Sequence, residues 1–248
     1  MRPNLRTWEV RLGVTLVALS VAVYAVKYLL LNDLEGTCLY IFNALGFLPI
    51  NVLLVTLILN ELLRIRSKRE RLEKLNVVIG TFFSEVGTGL LTYLSNHDPD
   101  LPEIRQDLIV TEDWTPERFA LMRNRLRDYR YGIAIDGVDL PELCRYLTER
   151  REFLLRLLEN PVLLEHESFT DLLRAVFHLT EELEWRRDFA GLPASDITHL
   201  TGDVERVYGR LTREWLDYME YLKRNYPYLF SLAMRSNPFD ETASPVVR

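Results

Sequence analysis

The chain has 248 residues, of which 48% are hydrophobic and 27% are charged, and its formal net charge is −6 at pH 7. An acidic chain without a basic stripe interleaved with aromatic residues is a poor nucleic-acid binder, so no nucleic-acid partner is predicted. Its two cysteines, Cys38 and Cys144, exclude a disulfide framework and a cysteine-based metal site.

Two apolar runs near the start of the chain, residues 12–31 and 39–59, dominate its organisation. Each has about 20 residues, enough for a helix to cross roughly 30 Å of hydrocarbon. The segment between them, residues 32–38, is long enough only for a turn. The alternative for the first run, a cleaved signal peptide, fits poorly because the run is long and no small-residue cleavage site follows it. We therefore predict an all-α membrane protein with a two-span transmembrane hairpin over residues 1–60 and membrane lipid as its partner.

The distribution of charge predicts the orientation of this hairpin. Residues 1–71 carry nine Lys and Arg against five Asp and Glu, a net charge of +4, so residues 72–248 carry −10. The basic residues flank both runs, whereas the connecting loop contains Asp33 and Glu35 and neither Lys nor Arg. Because positive charge is retained on the cytoplasmic side, we expect an inner (plasma) membrane location with both termini in the cytoplasm.

An apolar seam with heptad-like spacing follows the second run. It predicts that the second span continues as a long helix, with residues 61–95 forming a stalk that joins copies into a homo-oligomer. A third span over residues 77–94 is rejected because Glu85 and several glycines cancel the gain from its apolar side chains. The predicted oligomer seam consists of Leu72, Leu75, Ile79, Phe82, Val86, Gly89 and Tyr93.

Residues 96–236 are predicted to form a cytoplasmic helical bundle, and residues 237–248 a flexible tail. Helix start and stop signals divide the bundle. One helix is predicted to start at Thr115-Pro116, and the next to run from Asp139 to Asn160. A Ser168/Asp171 capping box predicts a helix over residues 169–188, and Gly191 and Pro193 break the chain after it. The last helix is predicted to stop at Pro227.

A metal site in the bundle is one hypothesis for its chemistry. His178 precedes Glu182 by one helical turn, and Glu85 could add a carboxylate from an earlier helix. Neither a second Glu-x-x-His pair nor a His-x-x-x-His pair occurs, and His178 is predicted off the apolar face of its helix. The alternatives are a solvated or inter-helix polar face for His178, and an ion pair with an arginine or a proton-sensitive gate for Glu85.

Polar residues in the second span suggest a different kind of site. Intramembrane polar side chains usually face a bundle interior or a water path. An oligomer could therefore enclose a pore with acidic residues at its outer mouth, while the alternative is helix–helix packing in a simple anchor. The pore-lining candidates are Asn43, Asn51 and Thr56, with Asp33 and Glu35 at the mouth.

The remaining sequence contains no strong catalytic motif, so no catalytic residue and no cofactor are predicted. The leading interpretation is a non-enzymatic oligomeric membrane protein. It would act as a channel-like pore, or as a scaffold whose cytoplasmic domain binds a protein partner. The alternative is a membrane-tethered helical enzyme that uses a metal, or a ligand sensor.

Overall fold

The computed structural model describes residues 7–31, 34–161, 163 and 166–246; within its helices, the side chains of residues 7–10, 12, 30, 31, 34 and 68–74 lie outside the description. The residues so described contain helices and no strand. The α-helices are α1 (Thr7–Leu31), α2 (Leu34–Phe82), α3 (Thr88–Ser95), α4 (Pro116–Asp128), α5 (Leu140–Thr148), α6 (Arg151–Leu158), α7 (Glu167–Glu184), α8 (Ala194–Asn225) and α9 (Pro227–Arg235). A π-helical turn, Phe83–Gly87, lies between α2 and α3.

The chain divides into two compact units, residues 1–67 and 68–248, and the boundary falls inside α2. In the first unit, α1 and the start of α2 contact each other through Tyr24 and Tyr40, whose ring centroids are 6.5 Å apart. Almost all the described apolar side chains of this unit are exposed. The most apolar 18-residue window within residues 35–67 has a mean hydropathy of 2.1 and no buried residue. By length and composition this segment could cross a membrane, whereas the apolar stretch 13–29 is shorter.

The second unit is built around α8, which packs against α3, α4, α7 and α9. Helix α7 lies beside it and also contacts α5 and α6. An apolar stripe of α8 is buried, because its side chains recur every three or four residues and so share one face of the helix. They include Leu200, Val204, Val207, Leu211, Trp215 and Leu222.

The predicted oligomer seam lies in the core of this second unit. Leu75, Ile79, Phe82 and Val86 are buried by the chain's own side chains, and the rings of Phe82 and Phe169 of α7 meet edge to face at 5.3 Å. A second apolar segment, residues 75–95, also has the length and hydropathy of a span, but 44% of its most apolar window is buried. The heptad-like spacing is accounted for by packing within one chain, so it gives no support for a second copy. The homo-oligomer stays a prediction.

The glycines near this seam make room for tyrosines of the same chain. A Cβ atom on Gly89 would lie 2.6 Å from the hydroxyl oxygen of Tyr146, and that hydroxyl donates a hydrogen bond to the Val86 carbonyl oxygen at 3.0 Å. Tyr93 is partly buried, and its hydroxyl accepts a hydrogen bond from the Asp139 amide at 2.9 Å. The side chain of Leu72, the first seam residue, lies outside the description.

Several predicted boundaries differ from the structure. Residues 68–95 belong to the second compact unit and do not form a separate stalk, and Asn237 and Phe239 of the predicted tail are buried. The single helix expected after Asp139 is two helices, α5 and α6. The Ser168 capping box is absent from α7, because Nδ1 of His166 takes the N-cap role and accepts from the Phe169 amide at 3.3 Å.

Candidate metal centre

Helices α7 and α8 each present a histidine and a carboxylate one turn apart. His178 and Glu182 are separated by four residues on α7, and His199 and Asp203 are separated by four residues on α8. Residues at this spacing project from the same face of a helix. Because α7 and α8 run antiparallel, His178 lies opposite Asp203 and Glu182 lies opposite His199. The four side chains therefore meet at one place between the two helices.

The donor atoms of this cluster lie within a few ångströms of one another. Nε2 of His178 is 3.9 Å from Oε1 of Glu182 and 3.5 Å from Oδ2 of Asp203. Nε2 of His199 is 3.7 Å from Oε2 of Glu182 and 3.4 Å from Oδ2 of Asp203. His178, Glu182 and His199 can each offer one donor atom with all three atoms within 4.8 Å of one another. Two imidazoles and a carboxylate are thus close enough to one another to be candidate metal ligands, and a second carboxylate lies within 3.5 Å of both imidazoles.

Asp203 is the buried member of the cluster. Its side chain is 2% exposed, whereas the two histidines are about half exposed. Nη1 of Arg206 donates a hydrogen bond to Oδ1 of Asp203 at 2.5 Å. Oδ2 is buried, and no donor among the described residues makes a hydrogen bond to it. This oxygen lies 3.5 Å from Nε2 of His178 and 3.4 Å from Nε2 of His199, so it can serve either as a metal ligand or as the ion-pair partner of a protonated imidazole.

Glu182 is held in its ionised form by a neighbouring arginine. Nη1 of Arg186 donates to Oε2 of Glu182 at 2.8 Å, and this hydrogen bond lowers the pKa of Glu182 below its ordinary value. The same guanidinium makes two hydrogen bonds to Asp196 near the start of α8, and these lower the pKa of Asp196. The carboxylate of Glu182 is therefore oriented, and it is deprotonated as a metal ligand must be.

The polar face of α7 continues beyond the cluster. Nη1 of Arg210 donates to Oδ2 of Asp171 at 3.1 Å, two turns before His178 along α7. This face of α7 meets α8, and the side chain of His178 on it is about half exposed. Trp185, just after the end of α7, is exposed.

The other predicted site residues lie elsewhere. Glu85 belongs to the π-helical turn, its side chain is exposed, and it is not part of the cluster. Its carbonyl oxygen accepts a hydrogen bond from Nε of Arg150 at 3.0 Å. The pore-lining candidates Asn43, Asn51 and Thr56 lie on α2 and are exposed, as is Glu35. Asp33 lies outside the described residues.

The sequence pattern pointed to His178 and Glu182 of this cluster and missed His199 and Asp203. Known metal-binding pairs such as Glu-x-x-His and His-x-x-x-His do not describe the cluster, in which a histidine is followed four residues later by a carboxylate on each helix. That signal is present twice, as His178-Leu-Thr-Glu-Glu182 and as His199-Leu-Thr-Gly-Asp203. In both copies the leucine is fully buried in the core, and it fixes which face of each helix carries the histidine and the acid. This repeated pentapeptide was the available signal for His199 and Asp203.

Comparison with known proteins shows similarity to one family along nearly the whole chain. Residues 3–63 match the family described as "MJ1433, N-terminal helical domain". Residues 71–235 match the one described as "Uncharacterized protein MJ1433, C-terminal helical domain". The protein named "Uncharacterized protein MJ1433" from Methanocaldococcus jannaschii is 44% identical over 237 residues, which cover 96% of this chain and 95% of that protein. No solved structure matches the chain.

Proposed function

This chain belongs to the MJ1433 family, and we propose that it is a membrane-anchored protein whose helical domain binds a divalent transition-metal ion between α7 and α8. The ligands are His178, Glu182, His199 and Asp203. The observation that carries this proposal is the convergence of the two imidazole Nε2 atoms on one buried carboxylate oxygen, at 3.5 and 3.4 Å.

The ligand types favour a particular class of ion. Imidazole nitrogen suits Zn²⁺, Cu²⁺, Fe²⁺ and Ni²⁺, whereas Mg²⁺ and Ca²⁺ prefer sites made of oxygen atoms alone. Zn²⁺ in proteins is commonly held by histidine and carboxylate together. The cluster therefore supports a zinc-class ion, and Arg186 and Arg206 orient the two carboxylates from outside the ligand shell.

The first unit supports anchoring in a membrane. The described apolar side chains of α1 and of α2 up to Ile65 are largely exposed, and a contiguous apolar surface of this extent is rare in soluble proteins. Basic residues follow this surface at positions 64–71, and none occurs at positions 32–38 between the two apolar runs. This pattern supports an inner (plasma) membrane location with both termini in the cytoplasm.

Elemental analysis of the full-length protein, purified in detergent, tests metal binding. We expect one equivalent of zinc per chain after equilibration with Zn²⁺ and desalting, and loss of that zinc in His178→Ala/His199→Ala. His97→Ala is the matched control, because Nδ1 of His97 contacts the Tyr93 carbonyl oxygen at 2.8 Å, away from the cluster. Wild-type protein without zinc, or a double variant that retains it, would refute the proposal.

A membrane assembly, either a pore or a scaffold, is the second candidate function. The observation that favours it is the exposure of Asn43, Asn51 and Thr56 on the otherwise apolar surface of α2. In hydrocarbon these polar groups would need partners from other helices or from water. Ion flux through liposomes that contain the protein, reduced in Glu35→Gln, would support a pore. Liposomes that contain oligomers but show no ion flux would leave only the scaffold, and a monomer in detergent would exclude the pore.

A further inference from the structure

We infer that Asp203 is a direct ligand, so that the ion is held by two nitrogens and two oxygens in a closed tetrahedral site and fastens α7 to α8 without activating water. This inference rests on the proposed metal binding and specifies its role. An open site with three protein ligands and a water would instead be typical of a zinc hydrolase. The role of Asp203 distinguishes the closed site from the open one. In the closed site Asp203 is the fourth ligand, and in the open site it is a base beside the metal-bound water.

The distances agree with a tetrahedral shell. Bonds of about 2.0–2.1 Å from zinc to nitrogen or oxygen place neighbouring donors of a tetrahedron about 3.3–3.4 Å apart. Oδ2 of Asp203 lies 3.4 Å from Nε2 of His199 and 3.5 Å from Nε2 of His178. The oxygens of Glu182 lie slightly farther from the same nitrogens, at 3.7 and 3.9 Å. Oδ2 of Asp203 thus lies at about the tetrahedral donor separation from both imidazole nitrogens, while the three residues whose donor atoms all lie within 4.8 Å of one another are His178, Glu182 and His199.

Burial argues against Asp203 as a general base. A base that activates a metal-bound water has to contact that water, which in turn exchanges with solvent. Oδ2 of Asp203 is buried, and it has no hydrogen-bond partner within the described part of the chain. The solvent-accessible side of the cluster is formed by the half-exposed imidazoles of His178 and His199. Oδ2 therefore faces the two nitrogens and not the solvent.

Each carboxylate of the cluster is paired with an arginine outside it, Glu182 with Arg186 and Asp203 with Arg206. The Oδ1 atom of Asp203 is engaged by Arg206, so Oδ2 is left as a single donor to the ion. A bound ion would satisfy this buried oxygen, which accepts no hydrogen bond from the described residues.

The placement of the ligands explains what such an ion would do. Glu182 lies in the last turn of α7 and His199 in the second turn of α8, so the ion would join the two helices beside the segment 185–193 that connects them. Gly191 in that segment has a φ of 77°, a conformation that glycine adopts at low cost. The ion therefore holds the ends of the α7–α8 connection together, and its removal weakens the pairing of these two helices.

Cobalt substitution of the full-length protein in detergent tests the inference. Four-coordinate Co²⁺ absorbs visible light far more strongly than six-coordinate Co²⁺, so the wild-type protein should show the strong bands of a tetrahedral site. Asp203→Asn should bind Co²⁺ more than about 100-fold more weakly, since losing a ligand costs more than losing an outer-shell partner. Asp171→Asn is the control, because this carboxylate lies on the same face of α7 but is paired with Arg210.

The outcomes separate the two proposals. If Co²⁺ bound to the wild-type protein shows only the weak absorption bands of a six-coordinate ion, the closed tetrahedral site is wrong although the protein binds metal. This measurement uses the wild-type protein alone, so it does not depend on whether a variant folds. Unchanged affinity and spectrum in Asp203→Asn would overturn the role of Asp203 in the same way. Failure of the wild-type protein to bind Co²⁺ or Zn²⁺ would remove the metal site itself.

Discussion

Nε2 of His199 lies 3.4 Å from Oδ2 of Asp203, one turn further along α8, and the same oxygen lies 3.5 Å from Nε2 of His178 on α7. A single buried oxygen therefore links a histidine pair from two antiparallel helices. The contact is internal to one compact unit and depends on the register of α7 against α8. Metal binding and the stability of that helix pair are consequently coupled.

Zinc should raise the thermal stability of the protein. A ligand that binds the folded state alone stabilises it by about 2.7 kcal/mol at a free concentration of 100 times Kd. For a chain of this size, that corresponds to an increase in Tm of about 5–10 °C. Thermal unfolding of the full-length protein in detergent, with Zn²⁺ and with chelator, measures the shift. The shift should vanish in His178→Ala/His199→Ala, and an equal shift in that variant would place the ion elsewhere.

Arg206 should contribute to metal affinity without being a ligand. Its guanidinium holds Oδ1 of Asp203, and loss of such an outer-shell partner typically weakens metal binding by about 10- to 100-fold. Competition titration of Arg206→Gln against a zinc chelator measures the loss. Arg224→Gln on the same helix is the control for the removal of one positive charge and should bind like the wild type. If the two variants have the same affinity, Arg206 does not position Asp203.

Two glycines of α8 should respond in opposite directions to alanine. A Cβ on Gly209 would lie 2.9 Å from the ring of Tyr131, so Gly209→Ala should lower the free energy of unfolding by about 1–3 kcal/mol. Gly202 has nothing within 4 Å of its Cβ position, so Gly202→Ala should raise that free energy by about 0.5–1 kcal/mol through helix propensity. Denaturant titration of both variants and of the wild type measures the two changes in the free energy of unfolding. Equal effects would show that Tyr131 does not pack as described.

Much of the second unit could be predicted because local signals determine its helix ends. Thr115 caps α4 through its side chain, with Pro116 in the first turn, and α8 ends just before Pro227, in agreement with prediction. Pro227 also begins α9, a further helix that was not predicted. The break between α5 and α6 at Glu149 and Arg150 contains neither Pro nor Gly, so no local signal predicted it. The cap of α7 was assigned to Ser168 because a Ser-x-x-acid pattern is usually sufficient, yet His166 occupies that position.

Part of the candidate site could be predicted from local sequence, because two of its residues lie on one helix. His178 and Glu182 are one turn apart on one helix, so the sequence reveals their proximity. Their approach to His199 and Asp203 depends on how α7 and α8 pair across a break in the chain, which is a tertiary relationship. The apolar seam from Leu75 to Val86 also depends on tertiary packing, because the sequence of an apolar stripe does not reveal whether side chains of the same chain or of another copy cover it.

The native cysteines test the membrane orientation. Cys38 lies on the predicted outer side and is exposed, whereas Cys144 lies in α5 of the helical domain. A membrane-impermeant maleimide should label Cys38 in intact cells and should reach Cys144 only after the membrane is opened. Cys38→Ser and Cys144→Ser assign the labelled position. Labelling of Cys144 in intact cells would reverse the orientation, and release of the protein from membranes by alkaline carbonate would contradict the anchor.

The most direct test of the account is a calorimetric titration of metal-free, full-length protein with Zn²⁺ in detergent. We predict one ion per chain for the wild type and for Glu181→Gln, which changes the acid beside the cluster. We also predict binding at least about 100-fold weaker for Glu182→Gln and for His199→Ala. Equal zinc affinity in all four proteins, or no binding by the wild type, would contradict the claim that α7 and α8 form a metal centre.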